Sequence, residues 1–314
     1  MRAATIRDGE IVVAEHPDPQ PGAGEVLVRV RAAGINGADV QQRAGRYPAP
    51  PGSPQDIPGL ELAGEVAALG PGARRFAEGD RVMSIVGGGG QAELCVVPER
   101  HLMPVPSGLS WAEAGGVPEV FTTAHDAIFT QGQLGVGERL LVHGAAGGVG
   151  TAGVQLGVAA GAHVTATVRN PELRDRVIEL GAHEVVEPEG FERRGPFDVV
   201  LELVGAPNLP GDIEALGETG RIVVIGIGAG AKAELNLGAL MGKRATLRAS
   251  GLRYRSLEDK ARTARALERH VLPLFERGAL RVPIAATFGL DAAGEAYERF
   301  TAGSKFGKIV LEMA

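Results

Sequence analysis

The sequence predicts an α/β chain: a doubly wound parallel sheet joined to a mostly β module. Three features carry this expectation. The first third alternates short β-rich runs with Gly and Pro punctuation, the texture changes near Val117 to strands alternating with helical patterns, and the tail KFGKIVLEM ends in a further strand.

The early runs are ATIRDG, EIVVAEH, EVLVRVRAAGI, GEVAALG, DRVMSIV and QAELCVVP. Several show period-2 patterning, which fits half-buried strands of an antiparallel, barrel-like module. Beyond Val117 come LLVHG, VQLGVAAG, HVTATV, RDRVIELGA, DVVLELVG, IEALGETG and RIVVIGIG. Strand and helix in alternation read as βαβ units on a parallel sheet. The segment SLEDKARTARALERHVLPLFERG reads as one long amphipathic helix.

With 314 residues and 44% hydrophobic content the chain exceeds the usual size of one domain, so two are expected. A net charge of -6, without a basic stripe or polybasic tail, argues against nucleic acid and membrane surfaces as partners. Aromatics at 4% argue against a platform for stacking single strands. The start MRAATIRDGEIVVAEHPDP has no long apolar stretch, so a soluble cytoplasmic protein is expected. The single Cys95 cannot form an internal disulfide and reads as a small core residue.

The stretch LLVHGAAGGVGTAGVQL, residues 140–156, runs strand, glycine turn, helix. Such a Rossmann turn needs residues without side chains so that backbone N–H groups approach a pyrophosphate, and the helix N-terminus adds partial positive charge. Ala146, Gly147, Gly148, Val149 and Gly150 are the candidates for this contact. The G-x-G-x-x-G pattern has Ala145 at its first position, and a purely structural turn is the competing reading. The second strand, HVTATV, lies at the expected distance. At its end an NAD site usually offers a carboxylate, whereas this chain has Val168, Arg169 and Asn170. Arg169 would pair with a 2′-phosphate, which favours NADPH; a solvated surface arginine is the alternative.

The runs PGLELAGEVAALGPGARRFAEGDRV and GGGGQAELCVVP, the AAGGVG turn and the closing FGKIVL resemble the medium-chain dehydrogenase/reductase superfamily over nearly the whole chain. The likeness is to its zinc-free quinone oxidoreductase branch. It implies a GroES-like catalytic domain over residues 1–117, a Rossmann NADP-binding domain over 118–250, and a return over 251–314 that completes the catalytic domain. The active site is then expected in the cleft between the domains, and a homodimer is expected.

The resemblance also bears on metal. Zinc-dependent members carry a Cys where this chain has Asn36 and a His where it has Leu60, and one cysteine cannot supply a four-cysteine structural site. No metal is therefore expected. The seven histidines lack ligand spacing and read as surface or packing residues, and Glu61 reads as a fold-holding polar contact. Without a Lewis acid, a quinone or other conjugated carbonyl suits hydride transfer better than an alcohol does.

Site residues follow from motif matches. Asn36, in GINGADV, matches an Asn near the nicotinamide, with a turn-stabilising role as the alternative. Tyr47, in GRYPAPPG, matches a Tyr at the substrate mouth whose phenol would bond a quinone oxygen or donate a proton. Asn36 and Tyr47 are the expected catalytic pair. Thr123, beside Thr122, and Gly226 and Ile227, in VVIGIGAG, are expected near the nicotinamide. Arg253 and Arg255, in GLRYRS, read as solvated charges, with contact to a phosphate or a partner subunit as the alternative. Two other functions stay open: an NADPH-dependent enone or enoyl-thioester reductase, and a non-catalytic NADPH-binding structural or regulatory protein.

Overall fold

The computed structural model describes residues 1–313. In chain order, the elements begin with strands β1 (Arg2–Arg7), β2 (Glu10–Glu15) and β3 (Glu25–Ile35), helix α1 (Gly37–Arg43), and strands β4 (Glu61–Leu69), β5 (Arg81–Ile85), β6 (Leu94–Pro98) and β7 (Met103–Pro104). Helices α2 (Trp111–Gly115) and α3 (Pro118–His125) follow. Next come β8 (Arg139–Val142), α4 (Gly148–Ala159), β9 (His163–Thr167), α5 (Arg174–Ile178), β10 (Glu184–Val186), β11 (Phe197–Glu202), α6 (Leu209–Ala215), β12 (Leu216–Val224), α7 (Leu237–Lys243) and β13 (Thr246–Ala249). The chain ends with α8 (Leu257–His270), α9 (Leu272–Glu276), β14 (Ile284–Gly289), α10 (Ala293–Thr301) and β15 (Lys308–Glu312).

These elements form two compact units, residues 1–122 with 252–314, and residues 123–251. In the first, a sheet of order β14-β15-β3-β4-β5-β7 has β6 paired to β3. Its pairings are antiparallel except β14 with β15. Val26, Val28 and Val30 of β3 alternate into a core with Leu62, Val82, Ile309 and Leu311. That burial fixes the register, since a one-residue slip would turn the apolar face outward. The register of β15 sets Ile309 opposite Ile35 and so delivers Lys308 beside Asn36, 272 positions away in sequence.

The second unit is a parallel sheet of order β10-β9-β8-β11-β12-β13. Strand order reverses between β8 and β11, and ligands of such sheets bind at the carboxyl ends of the strands flanking this switch point. The fold is thus α/β, a Rossmann sheet plus a GroES-like, mostly β unit.

Two elements differ from the sequence reading. The single long helix is broken into α8 and α9 at Val271, because Pro273 brings no N–H and its ring meets the carbonyl one turn back. Helix α6 stops at Ala215, and the LGETG expected to extend it begins β12. No helix among the described residues is long and apolar enough to cross a membrane.

Candidate functional site

In the second unit, β8 runs into Gly144, whose φ of 58° is left-handed, and then to Gly147 as N-cap of α4. No side chain caps this helix, so its leading N–H groups stay available to a ligand. Ala146, Gly147, Gly148 and Val149 are partly exposed there. Gly150 is buried, and a Cβ on it would lie 2.5 Å from the carbonyl oxygen of Gly144, so only glycine lets helix and turn approach this closely. Ala145, at the missing first glycine, is fully buried and its N–H donates to the Thr167 carbonyl at 3.1 Å. The turn fits a pyrophosphate.

Arg169 follows β9, exposed, and its guanidinium makes no hydrogen bond or ion pair among the described residues. Gly226 donates its N–H to the Glu202 carbonyl at 3.1 Å, and a Cβ on it would strike the Leu203 carbonyl oxygen at 2.1 Å. Ile227 beside it is 58% exposed, an unusual state for so apolar a side chain. Thr123 is buried on α3; the hydroxyl left without a partner there is that of Thr122.

Beneath the turn lies a polar cluster that motif reasoning missed. His143, Glu202 and Asp212 are completely buried. Asp212 Oδ1 lies 2.8 Å from His143 Nε2, and His143 Nδ1 lies 3.0 Å from the Thr167 hydroxyl. Glu202 accepts from the Gly205 N–H at 2.7 Å, the Asn208 amide at 2.9 Å and the Val204 N–H. Burial, with Asp212 adding to it, raises the Glu202 carboxyl above its ordinary pKa. Asp212 Oδ2 has no partner. Potential metal-ligating atoms of all three residues lie within 4.8 Å of one another, but protein groups already occupy most of their bonding positions. His143 is therefore neither a surface residue nor simple packing: it ties the ends of β8, β9 and β11 to α6.

The first unit holds a second buried cluster. Lys308 Nζ donates to Glu61 Oε1 at 2.5 Å, Asn36 Oδ1 at 2.7 Å and the Ile35 carbonyl at 3.1 Å. The Asn36 amide donates to Glu61 Oε1 at 2.9 Å and the Gly34 carbonyl at 3.4 Å, which commits it within the protein. A Cβ at Gly34 would sit 2.3 Å from Glu61 Oε1, so the close ammonium-carboxylate contact depends on that glycine. Asp39 caps the following turn, accepting from the Asn36 N–H at 2.8 Å and the Gly59 N–H at 3.1 Å. Burial outweighs these bonds and pushes its pKa to about 6. This arrangement does not fit a zinc ion: Leu60 offers no ligand atom, Asn36 is engaged, and Glu61 is paired with an ammonium.

Tyr47 is half-buried, its ring edge-to-face with Tyr254 at 5.3 Å and under the Arg253 guanidinium at 5.0 Å. Burial raises its phenol above the usual pKa, so it is a weaker acid than a free tyrosine. The reading of Arg253 as solvated is corrected. It is 4% exposed and donates to the Gly87 carbonyl at 2.9 Å, the Tyr47 carbonyl at 2.7 Å and Gln42. Acceptors from two distant segments hold it inside.

Residues 22–107 match the alcohol dehydrogenase GroES-like domain family, and residues 180–311 the zinc-binding dehydrogenase family. A quinone oxidoreductase of Mus musculus is 31% identical over 308 residues, covering 93% of this chain and 90% of the relative. One from Pseudomonas aeruginosa is 32% identical over 307 residues, covering 95% and 94%. Among solved structures, an alcohol dehydrogenase superfamily protein from Novosphingobium aromaticivorans matches with a TM-score of 0.89 at 29% identity over the full length of both chains. A cobalt- and zinc-bound thermostable alcohol dehydrogenase from Pyrobaculum aerophilum matches with a TM-score of 0.86 at 28% identity, covering 99% of each chain.

Proposed function

The chain belongs to the medium-chain dehydrogenase/reductase superfamily, in its quinone oxidoreductase branch, and from this premise we propose that it is an NADPH-dependent reductase that passes hydride to a quinone or related conjugated carbonyl without a metal. The observation that carries the reading is the Lys308 ammonium bound to Glu61 and to Asn36, the latter at the position where zinc-dependent members carry a Cys. When bound, the reduced nicotinamide supplies the hydride, and a delocalised acceptor needs no Lewis acid to receive it.

The chain's own residues then have distinct tasks. The uncapped N-terminus of α4, at Gly147 to Gly150, binds the pyrophosphate. Arg169, free of internal partners, pairs with the 2′-phosphate. Thr123, Gly226 and Ile227 border the nicotinamide end. Asn36, its amide already used, holds the loop after β3 rather than donating to a ligand, and the Tyr47 phenol offers a hydrogen bond to the acceptor oxygen. A homodimer completes the reading: strand β13 is an exposed sheet edge, with Leu237 67% and Met241 78% exposed on neighbouring α7.

The test is oxidation of NADPH and NADH in parallel with 1,4-benzoquinone, 9,10-phenanthrenequinone and an aliphatic enone, by wild type and Arg169→Ala. A charge-assisted bond of about 1.5–3 kcal/mol predicts a loss of NADPH preference of about 10- to 100-fold in the variant. Equal use of NADH by the wild type would remove Arg169 from the account. Tight NADPH binding without turnover of any acceptor would favour the non-catalytic role.

A further inference from the structure

One buried imidazole links the glycine turn to the end of the next strand. His143 follows β8, and its backbone N–H donates to the Leu201 carbonyl at 3.1 Å. Its ring stands edge-to-face with Phe191, 4.6 Å between centroids, so packing and hydrogen bonds together fix its orientation. The next residue, Gly144, takes the left-handed φ that opens the turn. On one side Nε2 lies 2.8 Å from Asp212 Oδ1 on α6, and on the other Nδ1 lies 3.0 Å from the hydroxyl of Thr167, the last residue of β9. The Thr167 carbonyl accepts the Ala145 N–H at 3.1 Å. A closed ring results: His143 through its side chain and Ala145 through its backbone both grip Thr167, two positions before Arg169.

The hydrogen count assigns the bonds of this ring. Thr167 is 2% exposed, and its hydroxyl has no partner other than His143 among the described residues. A hydrogen on Nδ1 would leave the buried Thr167 O–H without an acceptor, which is costly. The ring hydrogen therefore sits on Nε2 and goes to Asp212, while Nδ1 accepts from Thr167. Resting on the cofactor reading above, we infer that His143 is a positioning residue for NADPH: through Thr167 it holds the pyrophosphate turn and Arg169 in one register. A cofactor with a 2′-phosphate must satisfy both features at once, whereas NADH engages the turn alone. The link thus contributes to the choice between the two cofactors.

Two measurements on the protein test the inference without turnover. The first is 15N NMR of the His143 ring in the absence of cofactor. A hydrogen on Nε2 and none on Nδ1 is expected, and a hydrogen on Nδ1 would overturn the bonding on which the link rests. The second is calorimetric titration with NADPH and with NADH of wild type, Thr167→Val, Thr167→Ser, Arg169→Ala and the double variant Thr167→Val with Arg169→Ala, melting curves establishing that each is folded. Thr167→Val keeps the branched shape and removes the hydroxyl. It should raise the Kd for NADPH about 10-fold and that for NADH by less than about 2-fold. Thr167→Ser, which returns a hydroxyl, should recover most of the NADPH affinity. In the Arg169→Ala background the selective effect of Thr167→Val should vanish, since only one of the two features is then left to align. If Arg169→Ala lowers the NADPH preference but a folded Thr167→Val weakens both cofactors equally, or neither, the inference alone is overturned. If Arg169→Ala leaves the preference unchanged, the reading of Arg169 is overturned and the inference with it.

Discussion

The two buried clusters hold loops in place by different electrostatics. Under the glycine turn, His143 faces two carboxylates, one oxygen of Asp212 is unmatched, and Glu202 is pushed toward its neutral form. In the other unit, Lys308 meets three acceptors at once and leaves Glu61 with a full partner. The ammonium cluster is a fixed pair whose loss is expensive, whereas the imidazole cluster leaves one carboxylate oxygen unmatched and holds Glu202 above its ordinary pKa.

The largest effect should come from breaking the fixed pair. Lys308→Met strands a fully buried Glu61 carboxylate, and about 3–5 kcal/mol of unfolding free energy should be lost in urea denaturation. Adding Glu61→Gln should recover part of it. A loss below about 1 kcal/mol would mean that the pair is not the anchor its geometry indicates.

A smaller effect is expected from Asp212→Asn, about 1–2 kcal/mol, because the amide oxygen can still accept from His143 and one unmatched charge disappears. The pH dependence sharpens the contrast. A carboxyl whose folded pKa is raised contributes stability that is fully present below its ordinary value of 4.5 and is lost as pH rises through the folded value. Wild type should therefore lose some stability through Glu202 from 4.5 upward. Asp212→Asn, which removes one of the charges raising Glu202, should flatten that decline; melting curves across pH 4 to 9 decide it, and an unchanged slope would contradict the coupling.

Much of the architecture was legible because it is written in local periodicity. The period-2 runs before Val117, the Val-rich strands after it and the Gly147 to Gly150 turn each carry their geometry within a few residues. The broken helix shows the limit even there: the amphipathic pattern of 256–278 is continuous, and one proline overrides it. The polar clusters were not legible. Lys308 lies 272 residues from Asn36 and 247 from Glu61, and only the pairing of β15 with β3 brings them together. His143 and Asp212 meet across 69 residues in the same way. Arg253, in a polar stretch, read as solvated because its acceptors, Gly87, Tyr47 and Gln42, come from distant segments.

The ammonium of Lys308 faces Glu61, and the hydride transfer proposed above is one that needs no metal. The most direct test is NADPH oxidation with 1,4-benzoquinone before and after exhaustive dialysis against a chelator, with metal content measured alongside. Turnover that survives dialysis unchanged, and does not rise when zinc is returned, is the predicted result. Turnover that falls with metal content and returns with zinc would contradict the account.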